Sequence, residues 1–211
     1  MPMRSSLARP ALLRRGLLLE YLTVGWNIIE GLIAIGAGLL SGSVALVAFG
    51  IDSFVETISG VVLIWRLRTE ERGKLDEAGI ERIERRAELL VGVSFMILAA
   101  YVAFEAIRTL VTAEAPDPSP VGIVLTAVSI AVMLWLARAK EQTGKALGSR
   151  ALIADAHQTR ACWYLSAAAL AGLALNALLG WWWADPLAAL AIVVLLVREG
   201  REALSGEEDD D

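Results

Sequence analysis

Four side chains with chemical potential occur within eight residues, at the start of a long apolar stretch: Asp155, His157, Arg160 and Cys162. The histidine and the cysteine are the only ones in the chain. Residues three, four and seven apart share one face of a helix. That spacing places Asp155, Gln158 and Cys162 on one stripe, whereas His157 and Arg160 lie on a second, opposite face.

A second pair of candidate residues, Asp52 and Glu56, is spaced four apart in an earlier apolar stretch, so both carboxylates share a helix face. If they face Gln158 and Cys162, two carboxylates, an amide and a thiol surround one point. This mixture of oxygen, nitrogen and sulfur donors is typical of a tetrahedral divalent transition metal. Because metal binding displaces protons from such ligands, the pattern predicts the minimal chemistry of a metal/proton exchanger.

The composition indicates that these residues lie inside a membrane. Of the 211 residues, 56% are hydrophobic, and the mean hydropathy is +0.59. A spanning helix needs about 20 mostly apolar residues, and six stretches qualify: 17–39, 43–65, 87–111, 120–138, 150–174 and 184–203. The sequence therefore predicts an all-α, polytopic membrane protein with six transmembrane helices. With one cysteine, no intramolecular disulfide can form.

The basic residues predict the orientation of the six spans. Seventeen of the 19 lysines and arginines precede span one, follow span six, or lie between spans two and three or four and five. The last of these connections has Arg138, Lys140, Lys145 and Arg150. By the positive-inside rule, both termini are cytoplasmic. We divide the chain into a basic cytoplasmic N-terminus (1–16), a six-helix domain (17–204) and an acidic, disordered tail (205–211).

Small residues and helix signals predict how the spans pack and where one begins. Gly31, Ala34 and Gly38 share one face of span one and predict a close helix contact. Asp185 followed by Pro186 is typical of an N-cap and a first-turn proline, so the pair predicts the start of the sixth helix.

The remaining polar residues of span five have several possible roles. Asp155 is predicted near the site, as an entrance or proton-relay acid, a ligand or a partner of Arg150. His157 is a possible neighbour of the metal ligands or a proton-relay group, although a lone histidine is more often structural. Arg160 needs an anionic partner at membrane depth, and three acids of other spans are candidates: Glu20, Glu30 and Glu105.

Two stretches resemble the cation diffusion facilitator, or cation efflux, family. The first is "SGSVALVAFGIDSFVETISGVVLIWRL" (41–67), which is similar to the second helix of that family. That helix has G-S-x-A/S-x-L, then an acid or histidine, three residues and an aspartate. Asp52 and Glu56 occupy the two ligand positions, with glutamate in place of the usual aspartate.

The second stretch is "SRALIADAHQTRACWYLS" (149–166), which resembles the fifth helix with its A-D-x-x-H-x-x-x-D pattern. Ala154 and Asp155 match its start. The histidine position is occupied by Gln158 and the final aspartate position by Cys162, while His157 is one position out of register. Cys162 restores softness and one negative charge, so the substitutions suggest altered metal selectivity within the zinc, cobalt, cadmium, manganese and iron range.

The resemblance implies a transporter rather than an enzyme, a short member without the C-terminal cytoplasmic domain. We expect a multi-pass protein of the inner or plasma membrane that exports a divalent transition metal, zinc first, in exchange for protons. The metal site would be Asp52, Glu56, Gln158 and Cys162, with no permanently bound cofactor. The implied partners are the metal, protons, the bilayer and a second copy in a homodimer; nucleic acid is not expected.

Two other functions fit parts of the sequence. One is a non-transporting scaffold or regulator on the same fold, whose altered site no longer binds metal. The other is a membrane enzyme with Cys162 as nucleophile and His157 as base. The opposite helix faces of these two residues argue against the enzyme, since a base must reach its nucleophile.

Overall fold

The computed structural model describes residues 3–71 and 77–205, and these ranges contain six helices and no strand. The helices are α1 (Met3–Ser41), α2 (Val44–Glu71), α3 (Glu77–Thr112), α4 (Pro120–Leu147), α5 (Arg150–Leu179) and α6 (Ala184–Ser205). The all-α prediction with six helices is confirmed. The predicted tail lies outside the described residues except for Ser205, the last residue of α6.

The helices extend beyond the predicted spans, mostly at the basic end of the bundle. The first begins at Met3 instead of residue 17, and the fourth ends at Leu147 instead of 138. Hydropathy marks where the apolar surface stops, whereas a helix continues through arginine, lysine and glutamate, which are good helix formers. The extension of α4 corrects the prediction for Lys140: it is a fully buried helix residue, not part of a connection.

Of the six helices in the described residues, five are long and apolar enough to cross a membrane, namely α1 to α5. In α6 the uncharged stretch is only 186–197, between Asp185 and Arg198. Each helix nevertheless presents large apolar side chains on the outside of the bundle, such as Leu40, Phe104, Val124 and Val194, which are 63–88% exposed. Such a surface suits lipid and not water.

The six helices alternate in direction. A cluster of buried residues gathers the start of α1, the end of α2, the end of α4 and the start of α5: Leu13, Leu17, Leu63, Ile64, Leu67, Leu147 and Leu152. Arg85, near the start of α3, donates hydrogen bonds to the carbonyls of Ala203 and Leu204 at the end of α6. Both contacts agree with six successive crossings.

The opposite end holds the start of α2 against the start of α6. The Asp185 carboxylate accepts hydrogen bonds from Ser43 Oγ (2.5 Å) and from the backbone N–H of Val44 (2.9 Å). The prediction that Asp185 is the N-cap of its own helix is therefore wrong: α6 begins at Ala184, and the carboxylate caps α2 instead. The free N–H groups and the dipole at the N-terminus of α2 stabilise the buried Asp185 carboxylate.

Close packing between α1 and α2 confirms the small-residue face predicted on span one. A Cβ added to Gly31 would lie 2.9 Å from the carbonyl oxygen of Gly50, and one added to Gly38 would lie 2.7 Å from Val47 Cγ2. The most extensive helix pairs are α1 with α2, α4 with α5 and α3 with α6. These pairs meet around one central core that includes Phe49, Val102 and Ile192.

Candidate metal centre

Three ionisable side chains of two helices converge in the centre of the bundle. Asp52 and Glu56 come from successive turns of α2, and Cys162 comes from α5; the three are at most 7% exposed. One potential ligand atom of each lies within 4.8 Å of the other two. Cys162 Sγ is 3.6 Å from Asp52 Oδ2, and it also contacts Glu56 Oε1. We refer to these residues as the central cluster.

A small cavity beside the central cluster connects it to Gln158. Asp52, Gln158 and Cys162 all line this cavity, which also touches Glu199 on α6. Its volume of about 10 Å³ is roughly the room of one water molecule. Residues of the second and fifth helices therefore share this cavity, and α3 and α6 close its other side through Phe95 and Leu196.

The central cluster has oxygen atoms that are free to accept a cation. Asn27 Nδ2 donates a hydrogen bond to Glu56 Oε2 at 3.0 Å, which orients that carboxylate. Among the described residues, Asp52 Oδ1 and Asn27 Oδ1 are buried and have no hydrogen-bond partner. A buried acceptor without a donor costs free energy, so the Asp52 carboxylate beside the Cys162 thiol fits a bound cation.

Asp155 does not belong to the central cluster, and its partner is one that the sequence did not suggest. Its carboxylate contacts the ammonium group of Lys140 on α4. Lys140 also lies 3.2 Å from the Glu20 carboxylate on α1. Asp155 is thus paired with a buried lysine, two turns from Cys162. The predicted alternative partner, the side chain of Arg150, lies outside the described part of the structure.

The second face of α5 is likewise different from the prediction. Arg160 pairs with Glu141 of α4 at 2.5 Å, so the candidates Glu20, Glu30 and Glu105 are wrong. Glu141 was overlooked because it was placed in a connection outside the membrane. His157 is exposed, whereas Cys162 is buried and contacts the two acids of α2.

Three residues near the site were missed or underrated by the sequence interpretation. Asn27 could have been found, because it shares a helix face with Glu20 and Glu30, at spacings of seven and three. Lys140 was hidden by its apparent place in a connection. Glu199 sits among charged residues at the end of α6, where sequence alone does not separate a cavity-lining acid from a solvated one.

Comparison with known proteins supports one family. A family model described as the cation efflux transmembrane domain matches residues 21–205. Among curated relatives, the magnetosome protein MamB of a Magnetospira species is 29% identical over 185 residues, which cover 86% of this chain and 61% of the relative. The cation-efflux pump FieF of Shewanella oneidensis is 26% identical over 170 residues, with 77% and 55% covered.

A third relative is the cadmium, cobalt and zinc/H⁺-K⁺ antiporter of Bacillus subtilis, 26% identical over 198 residues, with 89% of this chain and 60% of the relative covered. The chain thus spans about 60% of the length of the curated relatives it matches. The family match and the apolar helices identify the chain as a multi-pass protein of the plasma membrane, as the sequence predicted. The family match covers most of the chain and includes both α2 and α5, so the chain belongs to the cation efflux family.

Proposed function

We propose that this chain moves a divalent transition metal outward across the membrane, in exchange for protons. The observation that carries the proposal is the central cluster, in which two carboxylates and a thiol lie within 4.8 Å of one another. Gln158 lines the adjoining cavity and would complete a set of four ligands. The substrate reaches these groups only if the surrounding helices move, because all three are buried.

Charge balance explains why metal and protons would exchange. Three acids packed together in an apolar bundle cannot all be ionised without a cation, since like charges and burial both disfavour the charged forms. Protons fill that role when the metal is absent, and Cys162 is positioned to share its hydrogen with either carboxylate. A bound metal requires these ligands to be deprotonated, so each binding event releases protons.

The donor types favour zinc as the substrate within the transition metals. Carboxylate oxygen with thiolate sulfur suits zinc, cobalt and the softer cadmium, whereas magnesium and calcium prefer all-oxygen sites. Of the relatives, FieF is named a cation-efflux pump, and the Bacillus subtilis protein is named a cadmium, cobalt and zinc/H⁺-K⁺ antiporter. These names support the same substrate class here.

The direct test is metal flux into proteoliposomes that contain a pH-sensitive dye, with zinc, cobalt, manganese and iron offered in turn. We expect zinc-driven proton movement in the wild type and a loss of at least about tenfold in Asp52→Asn and Cys162→Ala. Glu105→Gln is the matched control, because Glu105 is an acid of α3 that pairs with Arg108 outside the cluster. That variant should retain wild-type flux.

Other results would change the proposal in defined ways. Metal flux without proton movement would support transport and refute the exchange. If folded wild-type protein moved none of the metals, transport would be refuted, and a scaffold or regulator on the same fold would become the better function. The expected homodimer stays a prediction, to be measured as the mass of the detergent-solubilised protein.

A further inference from the structure

Lys140 is a buried cation inside the bundle, separate from the central cluster. Its side chain is 0% exposed, and it lies in α4, one of the helices apolar enough to span a membrane. It contacts the carboxylate of Asp155 on α5 and lies 3.2 Å from that of Glu20 on α1. Its ammonium also donates to Thr159 Oγ1 at 3.3 Å. An ionisable group at this depth is expensive unless it is paired, and it usually marks an ion pathway.

Among the described residues, the carboxylates of Glu20 and Asp155 both pair with the one ammonium group of Lys140, so these acids exceed this cation by one. Both oxygens of Glu20 lie 3.2 Å from Lys140 Nζ, but only Oε2 has hydrogen-bond geometry. Glu20 Oε1 is buried without a hydrogen-bond partner among the described residues. Glu20 and Asp155 therefore already hold a cation, and a divalent ion would balance their charge more fully than an ammonium group does.

The position of this group relative to the central cluster is the same on two helices. Glu20 precedes Asn27, which binds Glu56, by seven residues, and Asp155 precedes Cys162 by seven. Seven residues are two helical turns, about 10 Å. Since α1 and α5 both start at the basic end of the bundle, the group lies between that end and the central cluster.

We propose that Glu20, Asp155 and Thr159 form a second, inner binding site for the divalent metal, with Lys140 as the resident cation that the metal displaces. The inference rests on the proposed function, in which metal reaches the central cluster from the basic, cytoplasmic end. The flexible four-carbon stem of lysine allows its ammonium to withdraw, whereas the helix-borne carboxylates stay in place. A metal ion that enters the bundle from that end meets these acids before it reaches the central cluster.

The test measures zinc bound to the purified full chain by equilibrium dialysis. The background is Asp52→Asn with Cys162→Ala, which disables the central cluster. In this background, adding Lys140→Ala should create about one zinc equivalent per chain, and adding Asp155→Asn as well should abolish it. Lys145→Ala is the matched control, because Lys145 is an exposed lysine of the same helix, paired with Glu141. It should add no zinc.

A folded Lys140→Ala protein that binds no extra zinc would overturn the inner site. If that variant does not fold, Asp155→Asn in the otherwise wild-type chain decides. We expect it to retain zinc at the central cluster while flux falls at least tenfold, and unchanged flux would overturn the proposal. If Lys140→Ala gains zinc in this background but the wild-type protein moves no metal, the inner site would be supported and transport refuted. The two failures are therefore distinguishable.

Discussion

Cys162 determines the chemical character of the central cluster at the scale of single residues. It supplies the only sulfur donor, and it contacts both carboxylates of α2. The choice of cysteine over a carboxylate matters because thiolate favours softer metals, whereas carboxylate favours harder ones. The metal preference of the whole protein should therefore respond to this one side chain.

We predict that Cys162→Asp preserves transport and shifts the preference toward harder ions. The manganese-to-cadmium ratio of initial flux rates should rise by roughly tenfold, because an oxygen replaces the sulfur ligand. The measurement is flux in proteoliposomes with each metal at equal concentration. Cys162→Ala, which removes the ligand without replacing it, should lose flux for both metals. An unchanged ratio in Cys162→Asp would show that Cys162 is not a ligand.

We also predict that Asn27→Ala weakens zinc binding about 10- to 100-fold. Asn27 donates to Glu56 Oε2, and loss of a group that orients a ligand commonly has this effect. Equilibrium dialysis of the purified protein gives the dissociation constant. Thr23→Ala is the control, because the buried Thr23 hydroxyl bonds only to the carbonyl of Leu19 on its own helix. Equal affinities in the two variants would contradict the role of Asn27.

At the scale of helices, the sequence predicted the number, order and contact faces well, because hydropathy and small-residue spacing report directly on lipid and on close packing. It failed for Lys140 and Glu141. Both were assigned to a connection because a charge normally ends an apolar span, yet α4 continues through them. Lys140 is buried against Glu20 of α1, and the partly exposed Glu141 pairs with Arg160 of α5. The central cluster was predictable because Asp52, Glu56 and Cys162 lie on helix faces that point inward. Ion pairs between helices were not, because they depend on how two helices are aligned along their axes, which the spacing within one helix does not show.

The contact between α1 and α2 gives a prediction at this scale. A Cβ on Gly50 would lie 2.9 Å from the backbone nitrogen of Ile35, so Gly50→Ala must separate the helices. We expect destabilisation by about 1–3 kcal/mol, typical of overpacking. Thermal unfolding in detergent measures the change. Gly36→Ala is the control, because nothing lies within 4 Å of a Cβ there, and alanine should be neutral or slightly stabilising in the helix.

The whole molecule has a basic end and an opposite end that carries Trp181–Trp183 and the connection after α3. If both termini are cytoplasmic, these two regions face opposite sides of the membrane. The chain's one cysteine makes this easy to examine, because Cys162→Ala yields a background without any thiol.

In that background, we predict that Trp182→Cys reacts with a membrane-impermeant maleimide added to intact cells. Thr69→Cys, near the end of α2, should react only after the membrane is permeabilised. Labelling is read as a mass shift on a gel, and the cysteine-free protein is the control for background. The opposite labelling pattern would invert the orientation, and labelling of both sites in intact cells would contradict six crossings.

The pairing of α3 with α6 also constrains how the chain is assembled. Gly92 of α3 packs against Gly200 of α6, and Arg85 binds the carbonyls of Ala203 and Leu204. The α1–α2 and α4–α5 pairs join neighbours in sequence, so each can close as soon as its second helix has been inserted. In contrast, α3 can form its most extensive contact only after synthesis has passed residue 204. The cavity beside Cys162, which Phe95 and Leu196 close, is therefore sealed only after α6 has been synthesised.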